Sequence, residues 1–153
     1  MPQQNISSEQ ATQLIANVLL AEAASDGPQG MEFVADTMWN RGQSRKLPLH
    51  MIATQSALNK KGVRVYQYTG AGRKDLPEFV GQQPQILRNL ALQIAQERMH
   101  PDYQPQYPGI ENYVTKDLYE NRFRPNVSEW VRTYEPAGTI GSHVALRPPR
   151  RRR

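Results

Sequence analysis

Apolar residues at Ala11, Leu14, Ile15, Val18 and Leu19 recur at i, i+3, i+4, i+7 and i+8, the period of one face of an α-helix. Just ahead of them, Ser7 and Gln10 have the S-x-x-Q spacing of a capping box, which satisfies amide donors that a helix start leaves free. This first helix is expected to stop near Gly27. Pro28 then opens a second stripe (Met31, Val34, Ala35, Met38 and Trp39), because a proline in the first turn gives up no hydrogen bond. Gly42 is its expected stop. Pro48 opens a third run with Leu49, Ile52, Ala53 and Ala57, and Pro84 a fourth with Leu87, Leu90, Ala91, Ile94 and Ala95. Four amphipathic helices with their start signals demand a helix-packed core.

Residues 60–81 break this rhythm. They hold glycines, lysines and a β-prone run over 63–69, with Gly70-Ala71-Gly72 reading as a flexible loop and Lys60, Lys61 and Arg64 as a solvated one. Beyond His100 come three prolines in 101–108, then β-prone segments at 112–115, 130–134 and 139–146. The last two flank Pro136-Ala137-Gly138, which reads as a hairpin turn. The expectation is one α+β, mainly helical domain over residues 1–146 with a small β-hairpin or sheet.

Charge separates the body from its end. The chain has 153 residues with 19 Lys and Arg against 14 Asp and Glu, and five of the cations are Arg147, Arg150, Arg151, Arg152 and Arg153. Residues 1–146 are therefore balanced. That argues against a basic nucleic-acid-binding face on the folded body. The tail over 147–153 is expected to stay disordered, as a solubilising end or as a binder of anionic envelope components. No cysteine is present, so disulfides, thiolate metal sites and Cys nucleophiles are excluded. His50, His100 and His143 lie far apart without ligand spacing, so no metal site is expected. No apolar run is long enough to span a bilayer. The first ten residues lack the basic start and apolar core of a signal peptide, which predicts synthesis in the cytoplasm without one.

One residue conflicts with its face. Continuing the first stripe leads to position 22, which is glutamate. A carboxylate on a core-facing stripe must find a partner or take up a proton, and a carboxyl group in an apolar pocket suits general-acid catalysis. The end of an amphipathic helix is also where a rim glutamate reaches water, so periodicity alone leaves both roles open. Trp39, Tyr66, Tyr68, Tyr113 and Trp130 are aromatics that would line a sugar groove or fill the core.

Residues 22–41, EAASDGPQGMEFVADTMWNR, resemble the signature of the spore cortex-lytic (SleB-like) cell-wall hydrolases: a catalytic glutamate, then an acidic residue, a glycine and an Asn-Arg pair. Here these are Glu22, Asp26, Gly30, Asn40 and Arg41. The segment 65–69 is similar to the family's Q-F-S segment, and Ile140-Gly141-Ser142-His143 with Arg147 to its closing one. Ala24 stands where the family carries arginine, and Val144-Ala145-Leu146 replaces an aromatic run. The resemblance implies a lysozyme-like domain that cleaves peptidoglycan glycan strands between N-acetylmuramic acid and N-acetylglucosamine as a lytic transglycosylase. It implies no cofactor and casts Glu22 as the acid/base. Gln67, Tyr68, Tyr66, Tyr113, Asp26 and His143 become substrate-binding candidates. Asp26 has two further readings, as a second carboxylate that would make the enzyme a hydrolytic muramidase, or as the cap of the second helix. The setting expected is a phage lysis or virion-associated enzyme acting in the periplasm or cell wall. The alternatives are a catalytically inactive virion assembly protein of the same fold and a nucleic-acid binder acting through the Arg tail.

Overall fold

Ser7 caps α1 (Ser8–Ala23) as its spacing predicts: its hydroxyl accepts from the Gln10 amide at 3.1 Å, and the Gln10 side chain accepts from the Ser7 amide at 2.9 Å. The structure is a computed structural model and describes residues 6–149. The predicted stripe of α1 is buried at Ala11, Ile15, Val18 and Leu19, joined by Ala16, Leu20 and Ala23. A 3-10 turn over Ala24–Asp26 leads into α2 (Gly27–Arg45), with Pro28 in its first turn. α2 runs past Gly42, the expected stop, and ends at Lys46 in the left-handed region. Gly42 instead serves close approach, since a Cβ there would lie 3.1 Å from the carbonyl oxygen of Leu47.

Pro48 precedes α3 (Leu49–Ala53), which ends before Ala57. Ala57 lies in β1 (Ser56–Leu58), paired antiparallel with β2 (Arg64–Tyr66) as an isolated two-stranded ribbon. A 3-10 turn over Thr69–Gly72 and α4 (Leu76–Gln82) follow where a loop was expected. Pro84 then precedes α5 (Gln85–Met99). The helices α1, α2, α3 and α5 enclose the core, where Ile15, Leu19, Phe33, Met38, Ile52, Tyr68 and Ile94 are all buried.

The second half builds a three-stranded antiparallel sheet in the order β3 (Asn112–Thr115), β5 (His143–Arg147), β4 (Glu135–Ile140), with α6 (Lys116–Glu120) and α7 (Glu129–Thr133) between β3 and β4. Two expectations are corrected here. Residues 129–133 are helical rather than extended, and the hairpin turns at Gly141 and Ser142, with Gly141 at φ 58°. Pro136 and Gly138 lie inside β4, where the pairing register shifts; an edge strand tolerates a proline because its outer amides have no ladder partner. Arg147, assigned to the disordered tail, is the last residue of β5 and pairs opposite Glu135, so the folded domain extends past 146. Arg150, Arg151, Arg152 and Arg153 lie outside the described residues. Val114, Val131, Val144 and Leu146 form a small second core between this sheet and α7. The fold is thus α+β and mainly helical. Among the described residues no helix is long and apolar enough to cross a membrane.

Candidate functional site

Glu22 occupies the last turn of α1, at the point where the buried stripe meets the surface, and it is half-buried. It has found partners. Its Oε1 accepts from the Tyr113 hydroxyl at 2.9 Å, while Oε2 accepts from the Gly70 amide at 3.2 Å and the Thr69 hydroxyl at 3.3 Å. With Ala21, Gly72 and Arg73, these 69–70 residues line an open depression of about 340 Å³. The 3-10 turn reaches α1 only because position 70 is glycine: a Cβ there would lie 2.5 Å from the Ala21 Cβ. The sequence reading missed Thr69 and Gly70. Two glycines in a short loop were its only signal, and they look the same whether the loop is mobile or tightly docked.

Tyr113 comes from β3, 91 residues along the chain from Glu22. Its ring meets His143 edge-on at a centroid distance of 4.6 Å and Phe33 at 5.7 Å. Burial, and then the charge of Glu22, push its phenol well above the ordinary value, so it stays a proton-bearing donor to Oε1. His143 is buried behind that ring, and burial lowers its imidazole below the usual value against the opposing pull of Asp26 and Glu22.

Asp26 occupies the position before α2, but its side chain makes no cap hydrogen bond there. It reaches across to the β4–β5 turn instead. Oδ1 accepts from the Ser142 amide at 3.0 Å, and Oδ2 accepts from the Ser142 hydroxyl at 2.9 Å. His143 Nδ1 lies 3.0 Å from Oδ2 but off the hydrogen-bond direction, so it has an ionic neighbour without an aligned acceptor. A Cβ on Gly141 would come within 2.7 Å of the Asp26 Cγ, and one on Gly30 would collide with the Asp26 Cβ. The acidic residue, the glycine after it and the Gly-Ser-His turn are therefore one packed unit that locks the hairpin against the start of α2.

Asn40 and Arg41 serve the same end from α2. The Asn40 side chain donates to the carbonyls of Tyr107 and Ile110, both at 2.8 Å, and Arg41 Nη1 donates to the Glu111 carbonyl at 3.3 Å. They hold the strand entry that delivers Tyr113. One turn earlier, the fully buried Asp36 accepts from the amides of Gln106 and Tyr107 at 2.7 and 2.9 Å and from the Tyr103 hydroxyl, with Arg98 3.2 Å away.

The remaining predictions separate. Tyr68 is only 1% exposed, with its hydroxyl 3.0 Å from that of Thr37, so it walls the site from inside and has no surface to offer a sugar. Gln67 is exposed; with Tyr66, Gln55 and Arg41 it lines a second depression of about 430 Å³. Trp39 packs on Tyr103, and Trp130 on Tyr134 in the second core, so neither joins Glu22. Among the described residues no three His, Asp or Glu side chains group as metal ligands would.

No family model, no curated protein and no solved structure matches this chain. What the geometry offers is one solvent-reachable carboxyl group on a rigid helix end, oriented by three donors from two different elements. Such a group can give a proton and take one back. The neighbouring carboxylate has both oxygens already committed to Ser142.

Proposed function

We propose that the protein cleaves peptidoglycan glycan strands at the bond between N-acetylmuramic acid and N-acetylglucosamine, as a lytic transglycosylase with a lysozyme-like helical domain and Glu22 as its single acid/base. The observation that carries this is the convergence of Tyr113, Gly70 and Thr69 on Glu22 at the lip of an open cleft. The spacing of Glu22, Asp26, Gly30, Asn40 and Arg41, similar to that of the SleB-like hydrolases, supports the substrate class.

In this scheme protonated Glu22 gives its proton to the glycosidic oxygen as the bond to C1 breaks. Positive charge develops on the muramyl ring beside the carboxylate so formed. The C6 hydroxyl of the same ring attacks C1 and its proton returns to Glu22, leaving a 1,6-anhydro end and restoring the enzyme. Tyr113 and the Gly70 amide hold the carboxyl group in one orientation through both transfers. A hydrolytic route needs a second carboxylate to activate water. Asp26 is poorly placed for that, since its oxygens serve the turn at Ser142. The setting proposed is phage lysis or virion delivery, with the cell wall as the place of action.

Digestion of purified peptidoglycan followed by mass spectrometry tests the scheme. Anhydro-muropeptides are the expected products. Reducing-end products would overturn the transglycosylase step, and no release from walls of several types would overturn the enzymatic reading.

A further inference from the structure

The β1–β2 ribbon leaves unusual side chains in water. Leu58 is 61% exposed, Val63 56% and Val65 50%, all within eight residues. The register pairs Ala57 with Val65 and Leu58 with Arg64, so Val65 projects from one face of the ribbon and Leu58 from the other. The tip between the strands is preformed rather than loose. The Asn59 side-chain oxygen accepts from the amides of Lys61 and Val63 at 2.9 and 3.0 Å, and the Asn59 amide bonds the Val63 carbonyl at 2.9 Å. Lys60, Lys61 and Arg64 are exposed and interleaved with these aliphatic residues along the chain, Arg64 donating to the Ser56 hydroxyl at 2.8 Å, and the sequence has no Asp or Glu between Asp36 and Asp75.

We propose that this hairpin is a membrane-docking element that seats Leu58, Val63 and Val65 in the surface of an anionic lipid bilayer. The two chemistries select the occupant together. An anionic polymer would engage the lysines and leave the aliphatic groups wet, and a rigid protein groove would cover one face of the ribbon and expose the other. A fluid interface covers both faces at once, with headgroup phosphates meeting Lys60, Lys61 and Arg64 at the depth where cations are favoured. This docking is independent of the catalytic assignment to Glu22.

The test exploits the absence of cysteine. Full-length Val63→Cys carries an environment-sensitive fluorophore and is mixed with vesicles of phosphatidylglycerol and phosphatidylcholine, or of phosphatidylcholine alone. A label at Gln85→Cys, on the exposed start of α5, is the control. The expected result is a blue shift, and quenching by lipids with spin-labelled acyl chains, at position 63 but not 85, and only with the anionic vesicles. Leu58→Ser with Val65→Ser should lower vesicle partitioning tenfold or more while the circular dichroism spectrum is unchanged. Lys60→Gln with Lys61→Gln should weaken the preference for phosphatidylglycerol. Vesicle binding with no change at position 63 would mean that cations elsewhere, such as Arg150 to Arg153, do the binding, and would overturn the proposal. So would the absence of vesicle binding, or partitioning unaffected by the serine substitutions.

Discussion

Gly70→Ala probes the contact that brings the 3-10 turn to the Glu22 carboxyl group. The new methyl would sit 2.5 Å from the Ala21 Cβ and 3.3 Å from both the Ala21 carbonyl carbon and Glu22 Oε2. Real Cβ atoms do not approach so closely, so the turn must lift from α1, and overpacking of this kind costs about 1–3 kcal/mol. For a domain of this size each kcal/mol lowers Tm by about 2–4 °C. Lifting the turn also withdraws the Gly70 amide from Glu22, so glycan cleavage should fall with stability. Ala21→Gly removes the clashing methyl and alone costs about 0.5–1 kcal/mol in helix propensity. The double variant should therefore melt close to Ala21→Gly alone, with a coupling of about 1–3 kcal/mol, the size of the relieved clash, and should regain activity lost in Gly70→Ala. Urea unfolding of the four proteins in the cycle measures this directly. Effects that add to within about 0.5 kcal/mol would show that the two positions do not meet, and the docked turn would be refuted.

Asp26→Asn should lower stability by about 1–3 kcal/mol, since the amide nitrogen cannot accept from Ser142, yet its products should stay those of wild type; a switch from reducing-end to anhydro products would reveal Asp26 as a base. Asn40→Ala strands two carbonyls that Asn40 now satisfies, and should cost about 1–3 kcal/mol and lower activity through the misplaced Tyr113, read by urea unfolding beside turbidity clearing. His143 has its pKa lowered by burial, so between that folded value and the unfolded 6.5 the unfolded chain binds the extra proton. Stability from this group is complete above 6.5 and falls as the pH drops through the window; His143→Gln should flatten that part of a urea-midpoint series between pH 7.5 and 5.

The sequence made the helical half legible because periodicity and proline placement are local signals. The capping box at Ser7, the stripes of α1, α2 and α5 and the buried-face anomaly of Glu22 all follow from residues within a turn or two of one another. The errors came where distant contacts decide. Residues 130–134 are β-prone by type, but Val131 packs helically over Val144 and Leu146 in the second core. Gly138 looked like a turn residue, yet the turn formed at Gly141, where the Asp26 side chain leaves no space for a Cβ. Tyr68 lies in the segment that resembles the SleB-like family's and so reads as the better sugar contact than Tyr113, the reverse of their reach to Glu22 in the fold. Only the tertiary fold sends one hydroxyl to Thr37 in the core and the other to Glu22.

The assignment of Glu22 as the proton carrier is tested most directly by comparing wild type with Glu22→Gln on purified peptidoglycan, with both proteins shown to be folded by their melting curves. Glutamine can still accept from Gly70 and Thr69 but cannot deliver and retrieve a proton. The account predicts anhydro-muropeptide release by wild type and a loss of at least about 100-fold in Glu22→Gln, the scale of a positioned acid/base. Comparable release by both proteins would contradict it and move the chemistry away from Glu22.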